Sequence, residues 1–275
     1  MLATRVRGLA AAAHAGPSLV VTVVTVGLGV AAGLEGGRLV LLGMAIALGQ
    51  VSIGWSNDWI DARAGRDGDR EDKPLSSGVL AVQTVRGAAV GAAVATLVVS
   101  AALGPVPGAL HVLAVASGWA YNARLKLTPA SVLPYLVSFG LLPVIVAAMA
   151  GRAGPPWWAV VTAACFGAGV HLANALPDLE VDARTGVRGL PQRLGARPSV
   201  VATVVLLGVG GAAVLLGPGN AVGALTVVGL VVVVGLVSTL GTLGWRGQHE
   251  ASFKVAMLTG LVVVALLVAR GDALA

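Results

Sequence analysis

Long apolar runs separated by short charged segments organise this chain. No Asp, Glu, Lys or Arg occurs in 8–34, 39–57, 87–123, 127–151, 153–177, 198–245 or 255–269. A membrane-crossing helix needs roughly 20 mostly apolar residues, and most of these runs reach that length. Two are too long for one crossing. The run 87–123 is broken by Gly104-Pro105-Val106-Pro107-Gly108, and 198–245 by Gly217-Pro218-Gly219-Asn220; both are turn sequences. Divided there, the pattern predicts an all-α integral membrane bundle of about nine transmembrane helices. The last, near 253–269, begins at Lys254, whose long side chain can snorkel to the interface. The segment 5–34 has the basic start and apolar run of a signal peptide. Its run is too long for a signal h-region and eight spans follow, so it reads as the first helix.

Composition supports the same class. The 275 residues are 57% hydrophobic and 11% charged, against about 25% charged in soluble domains. With nine spans and a cytoplasmic N-terminus, all but three of the 18 Lys and Arg residues fall on the cytoplasmic side. Arg38, Arg152 and Arg270 fall outside. That is the positive-inside pattern, and it predicts a multi-pass protein of the plasma membrane. The net charge of +6 is then topology, and nucleic acid is not an expected partner. Membrane lipid is. Trp55, Trp59, Trp119, Trp157, Trp158 and Trp245 lie near span ends, as interfacial rings do. The single cysteine, Cys165, sits in an apolar run and implies neither a disulfide nor a thiolate metal site.

The acidic residues are distributed less trivially. Nine of the 12 fall in two segments on the cytoplasmic side. The first contains Asn57-Asp58-Trp59-Ile60-Asp61 and continues through Arg66-Asp67-Gly68-Asp69-Arg70-Glu71-Asp72-Lys73-Pro74-Leu75. The second reads Asn174-Ala175-Leu176-Pro177-Asp178-Leu179-Glu180-Val181-Asp182, followed by Arg184 and Arg188. On a helix end, spacings of three (Asp58, Asp61) and four (Asp178, Asp182) put both carboxylates on one face. Asn57 and Asn174 stand at the mouths of apolar runs, where a polar side chain is expensive. Solvated loops that orient the protein would explain the Lys and Arg residues. They would not explain carboxylates crowded together at two helix ends. Paired carboxylates offer Mg²⁺ the hard oxygen ligands it shares with substrate phosphates. Interspersed cations, including Arg66, Arg70, Lys73, Lys126 and Arg184, can balance the remaining phosphate charge.

The order of these motifs resembles the UbiA-type membrane prenyltransferase family. The resemblance rests on Asn57-Asp-x-x-Asp61, the basic segment with Lys73-Pro-Leu-Ser-Ser-Gly78, and Asp178-x-x-x-Asp182 about 120 residues later. Asp182-Ala-Arg-Thr-Gly186, Leu190-Pro-Gln-Arg-Leu-Gly195 and Tyr121-Asn-Ala-Arg-Leu-Lys126 are also similar. It spans the whole chain and implies one transmembrane prenyltransferase-like domain, 1–275. It implies transfer of an isoprenyl group from an isoprenyl diphosphate to a small-molecule acceptor, aromatic and quinone-precursor-like or otherwise. Asp58, Asp61, Asp178 and Asp182 would hold Mg²⁺, with Asn57 and Asn174 beside them, and Arg70, Lys73 and Lys126 would contact the diphosphate. Many members carry an acid where this chain has Gly65; Asp67 can substitute, as in the menaquinone-pathway branch.

Other polar residues are sparse inside the runs. His171, Asn174, Asp178 and Asp182 follow a 3-4-4 spacing, so His171 can line the same cavity one turn deeper. With Tyr121 it is a candidate for the acceptor pocket; helix-to-helix hydrogen bonding is the plainer reading of an intramembrane histidine. Ser117, Ser138 and Thr162 read as helix packing. Two other functions remain open: cyclisation of the isoprenoid without an acceptor, and transport. Transport sites lie near the membrane midplane, whereas these charges lie at span ends.

Overall fold

The computed structural model describes residues 8–9, 12, 15–66, 75, 79–219 and 223–270. Within them the chain is helical, without strands. The long helices are α1 (Ala15–Ala31), α2 (Gly36–Arg63), α3 (Val82–Ala102), α4 (Pro105–Ala123), α5 (Leu133–Met149) and α6 (Trp157–Ala175). Two short helices, α7 (Leu179–Thr185) and α8 (Leu190–Leu194), precede α9 (Ala196–Leu216), α10 (Ala224–Trp245) and α11 (His249–Ala269). Two 3₁₀ turns, Leu125–Leu127 and Pro129–Val132, join α4 to α5.

Long helices occupy each expected span, but only 7 are long and apolar enough to cross a membrane among the described residues. The expected count of nine is not reached on that criterion. The described α1 has 17 residues, and α4 gives up hydropathy to His111, Asn122, Pro105 and Pro107. The breaks fall where the turn sequences predicted. Gly104 has φ +108° and Pro105 occupies the first turn of α4, where its missing N–H costs no hydrogen bond.

Packing divides the helices into two groups. Helices α1, α2, α4, α5, α6 and α11 enclose a cavity of about 370 Å³. Helices α3, α9 and α10 pack outside it. Of the seven spans α6 is the most buried, and α3 and α10 are among the least. Polar residues inside the apolar runs bind helix to helix or turn back on their own helix. Ser117 meets Ser138 at 2.6 Å across α4 and α5, and the Thr162 hydroxyl donates to the Gly210 carbonyl across α6 and α9. His111 Nδ1 meets Ser100 Oγ at 2.7 Å between α4 and α3. Tryptophan placement holds in part: Trp157 and Trp245 are exposed, but Trp158 is buried. Gly217, just past the end of α9, lies against the Trp158 side chain, so that ring serves packing.

Candidate active site

The first acidic motif ends α2. At 28 residues, α2 is about 42 Å long, more than the roughly 30 Å hydrocarbon core, so its last turns extend past the apolar region. Asn57 lines the cavity. Asp61, one turn further out, faces the link between α4 and α5. There Lys126, buried in the first 3₁₀ turn, donates to Asn57 Oδ1 at 3.3 Å and, more closely, to Asp61 Oδ1. Arg66 Nη1 stands 3.6 Å from the same Asp61 oxygen. The pair expected on one face was Asp58 and Asp61. The pair that shares a partner is Asn57 and Asp61, while Asp58 is buried at 2% exposure. Asp67, Arg70 and Lys73 lie outside the described residues.

The second motif does not continue one helix. α6 ends at Ala175, and α7 begins at Leu179; Pro177 has no N–H with which to extend the ladder. Asn174 therefore closes α6 and lines the cavity, Asp178 sits in the bend, and Asp182 lies on α7. The Asp178 carbonyl accepts from Asp182 N at 2.8 Å. Gln192 of α8 donates from Nε2 to Asp182 Oδ2 at 2.7 Å. Arg184 is exposed and forms no ion pair among the described residues.

A compact joint fastens this segment to the α4–α5 link. Leu190 N donates to Ser131 Oγ at 2.8 Å, and Ser131 Oγ also meets His171 Nε2 at 3.2 Å. Gly189 sits so close that an added Cβ would stand 2.8 Å from the Lys126 carbonyl and 2.9 Å from Ser131 Oγ. Lys126, the partner of the first motif, and Gln192, the partner of the second, thus meet around one glycine.

Above the motifs the cavity is walled by rings. Tyr135 stacks on His171 with centroids 4.3 Å apart and planes 16° apart. Tyr121 meets Tyr135 edge-on at 5.1 Å. Tyr121 also meets His171 edge-on at 5.5 Å. Tyr121, His171, Asn57 and Asn174 all line one cavity.

Among the described residues no three His, Cys, Asp or Glu side chains form a metal-holding group. The donors nevertheless suit Mg²⁺. It keeps several waters and takes one or two carboxylates together with phosphate oxygens, so it needs pairs of hard oxygen donors and no closed cage.

A family model described as the UbiA prenyltransferase family matches residues 8–268. The chain belongs to that family. No curated protein matches it by sequence. Among solved structures, the apo UbiA homolog from Aeropyrum pernix K1 superposes with TM-score 0.71 at 19% identity, covering 90% of this chain and 97% of that one. A UbiA homolog from Archaeoglobus fulgidus bound to DMAPP and Mg²⁺ gives TM-score 0.70 at 15% identity, covering 94% and 98%. A structure concerned with digeranylgeranylglyceryl phosphate synthase gives 0.64 at 14%, covering 97% and 98%. At such identities the likeness is one of fold. With its apolar helices, this UbiA-family chain is a multi-pass membrane protein.

Sequence reasoning passed over Tyr135, Ser131 and Gly189 as site residues. Gln192 was visible inside the Leu190–Gly195 tail, though without a role. Ser131 and Tyr135 follow Lys126 closely, but nothing local says that they face His171 of α6.

Proposed function

We propose that this protein transfers an isoprenyl group from an isoprenyl diphosphate to a small-molecule acceptor, with Mg²⁺, at the cytoplasmic face of the plasma membrane. One observation carries the reading: Asn57 and Asn174, the heads of the two acidic motifs, line the same largely apolar cavity. Relatives of this fold solved with DMAPP or GPP and Mg²⁺ support it, and the distribution of Lys and Arg supports the orientation.

In this reading Asp58, Asp61, Asp178 and Asp182, with Asn57 and Asn174, hold Mg²⁺. Arg66, Lys126 and Arg184 serve the diphosphate, as do Arg70 and Lys73 of the segment outside the described residues, whose Asp67 is a further ligand for Mg²⁺. The metal supplies Lewis-acid stabilisation of the leaving diphosphate. Lys126, held by Asn57 and Asp61, keeps a fixed positive charge where negative charge develops. The allylic C–O bond breaks and its electron pair leaves with the diphosphate. The allylic cation then faces the rings of Tyr121, Tyr135 and Phe139, whose π-faces attract positive charge. An acceptor electron pair forms the new bond to the allylic carbon, and the proton that the acceptor loses passes to the released diphosphate. Apolar walls keep competing water away.

The test is diphosphate release by purified protein in detergent, given geranyl, farnesyl or geranylgeranyl diphosphate with and without candidate acceptors. Release is expected to need Mg²⁺, to stop with EDTA, and to be abolished in Asp58→Ala and Asp178→Ala. Full activity in either variant refutes the assignment.

A further inference from the structure

Arginines on the two sides of the bundle are held differently. On the side away from the acidic motifs, Arg152 Nη2 donates to the Ala32 carbonyl at 3.0 Å and Arg270 Nη2 to Thr226 Oγ1 at 2.7 Å. On the motif side, Arg66 and Lys126 face Asp61. Arg197, in the first turn of α9, and Arg246, directly after the last residue of α10, are exposed on that same side. Among the described residues neither side chain forms a hydrogen bond or an ion pair, and Glu250, four residues beyond Arg246, forms no ion pair either. Arg197 is instead laid over an exposed indole: its Cζ stands 5.0 Å from the centroid of Trp245.

These residues head an apolar seam. α9 and α10 run antiparallel in close contact, since a Cβ added to Gly244, Gly241 or Gly211 would stand 2.6, 3.2 or 2.5 Å from the side chain of Val200, Val204 or Val233. Val201, Val205 and Val209 continue from Arg197 in steps of four along α9, so they share its face, and all three are exposed. Val227, Val231 and Val234 are exposed along α10. Gly208 and Gly235 present no side chain, and a Cβ on either would meet nothing. The positive-inside bias gathers Arg and Lys on this side, but it does not call for a guanidinium stacked on an indole at the head of such a seam.

A ligand that matches both parts carries a phosphate and a hydrocarbon chain. A guanidinium donates to phosphate oxygens in its own plane, so it can do this while its face stays on the indole. The cationic end of a zwitterionic headgroup would oppose the two arginines, whereas a headgroup of net negative charge would not. We infer that Arg197, Arg246 and Trp245 form a binding site for an anionic phospholipid, with its phosphate on the two guanidinium groups and an acyl chain along the α9–α10 seam. Neither helix lines the cavity, so the inference is independent of the transferase reading.

The full-length protein, purified in detergent and delipidated, is titrated with phosphatidylglycerol or phosphatidylcholine of the same chains, and bound lipid is counted by native mass spectrometry. Phosphatidylglycerol is expected to bind roughly tenfold or more tightly, from two arginines at an anionic headgroup. Arg197→Gln with Arg246→Gln should abolish that preference, and Arg197→Lys with Arg246→Lys, which keeps the charges, should retain most of it. Arg38→Gln with Arg63→Gln removes the same charge from exposed positions at the two ends of α2 and should change nothing. A wild-type thermal midpoint shows that each variant is folded. Should the glutamine pair not fold, Trp245→Leu takes the platform from Arg197 and should lower phosphatidylglycerol binding several-fold. Equal affinity for the two lipids overturns the inference, as does wild-type preference in the folded glutamine pair or in Trp245→Leu. An equal loss in the Arg38 and Arg63 variant also overturns it, since the attraction is then diffuse. So does displacement of the lipid by glycerol phosphate at the same concentration, which makes the site one for a free anion. A dimeric mass that the glutamine pair abolishes gives the face to a second copy of the chain and overturns the lipid assignment too.

Discussion

Replacing Gly189 with Ala tests whether the two acidic motifs act as one assembly. The new Cβ would stand 2.8 Å from Gln192 Oε1, 2.8 Å from the Lys126 carbonyl and 2.9 Å from Ser131 Oγ. The two side-chain atoms can rotate away. The carbonyl belongs to a 3₁₀ turn fixed between α4 and α5 and cannot. Restoring an ordinary contact of 3.4 Å requires the segment 187–195 to retreat by about 0.6 Å. Such a shift would stretch the 2.8 Å bond from Leu190 N to Ser131 to the edge of useful geometry, and would carry Gln192 and the Asp182 that it holds away from Lys126. Overpacking of this kind costs about 1–3 kcal/mol. A 1 Å misplacement of catalytic groups costs about a hundredfold, so half of that corresponds to roughly tenfold in turnover. Magnesium-dependent diphosphate release should therefore fall about tenfold, with a higher Mg²⁺ requirement and a lower thermal midpoint in detergent. Gly189 touches no substrate in this account, so the loss would report on geometry. Wild-type turnover, Mg²⁺ dependence and midpoint in Gly189→Ala would refute the coupling.

Lys126→Met should leave Asp61 without its closest cation and abolish measurable release, since breaking a buried pair costs about 3–5 kcal/mol. Lys126→Arg should fail to restore it, because a planar guanidinium does not fit a site shaped for a point charge; both are read in the release assay. Gly260→Ala should destabilise the protein by about 1–3 kcal/mol, because a Cβ there would fall 1.8 Å from the Phe166 ring. The ring must then move, and binding of a long-chain donor should weaken more than that of dimethylallyl diphosphate. Ser131→Ala should strip Leu190 N and His171 Nε2 of a shared partner. A loss of about 1–3 kcal/mol in thermal stability is expected, with a smaller effect on diphosphate release than that of Gly189→Ala.

Legibility differed from element to element. The helix breaks at Gly104-Pro105 and Gly217-Pro218 could be read directly, because Gly and Pro act on the backbone where they stand. The 3-4-4 spacing put His171 and Asn174 on one side of α6, and both line the cavity; Asn57 and Tyr121 were named from the family resemblance and not from spacing. Spacing also misled. A period of four placed Asp178 and Asp182 on the end of one helix with Asn174, but Pro177 interrupts the ladder and moves both carboxylates beyond it. Trp158 was expected at the interface with Trp157, yet packing against Gly217 buries it.

From the sequence alone came the apolar runs, the side on which the basic residues gather, and the identity of two carboxylate-bearing motifs. Each of these is local: it depends on run length, on the residues at a turn, or on charges a few positions apart. Which atoms meet was decided by tertiary structure. Lys126 reaches Asn57 and Asp61 across 69 and 65 residues of chain, and His171 meets Ser131 across 40. In a membrane bundle the lipid-facing and core-facing sides of a helix are both Val, Leu and Ala, so periodicity cannot tell one from the other. The rotation of each helix is set by close packing with its neighbours, and that rotation decides which side chains enclose the cavity.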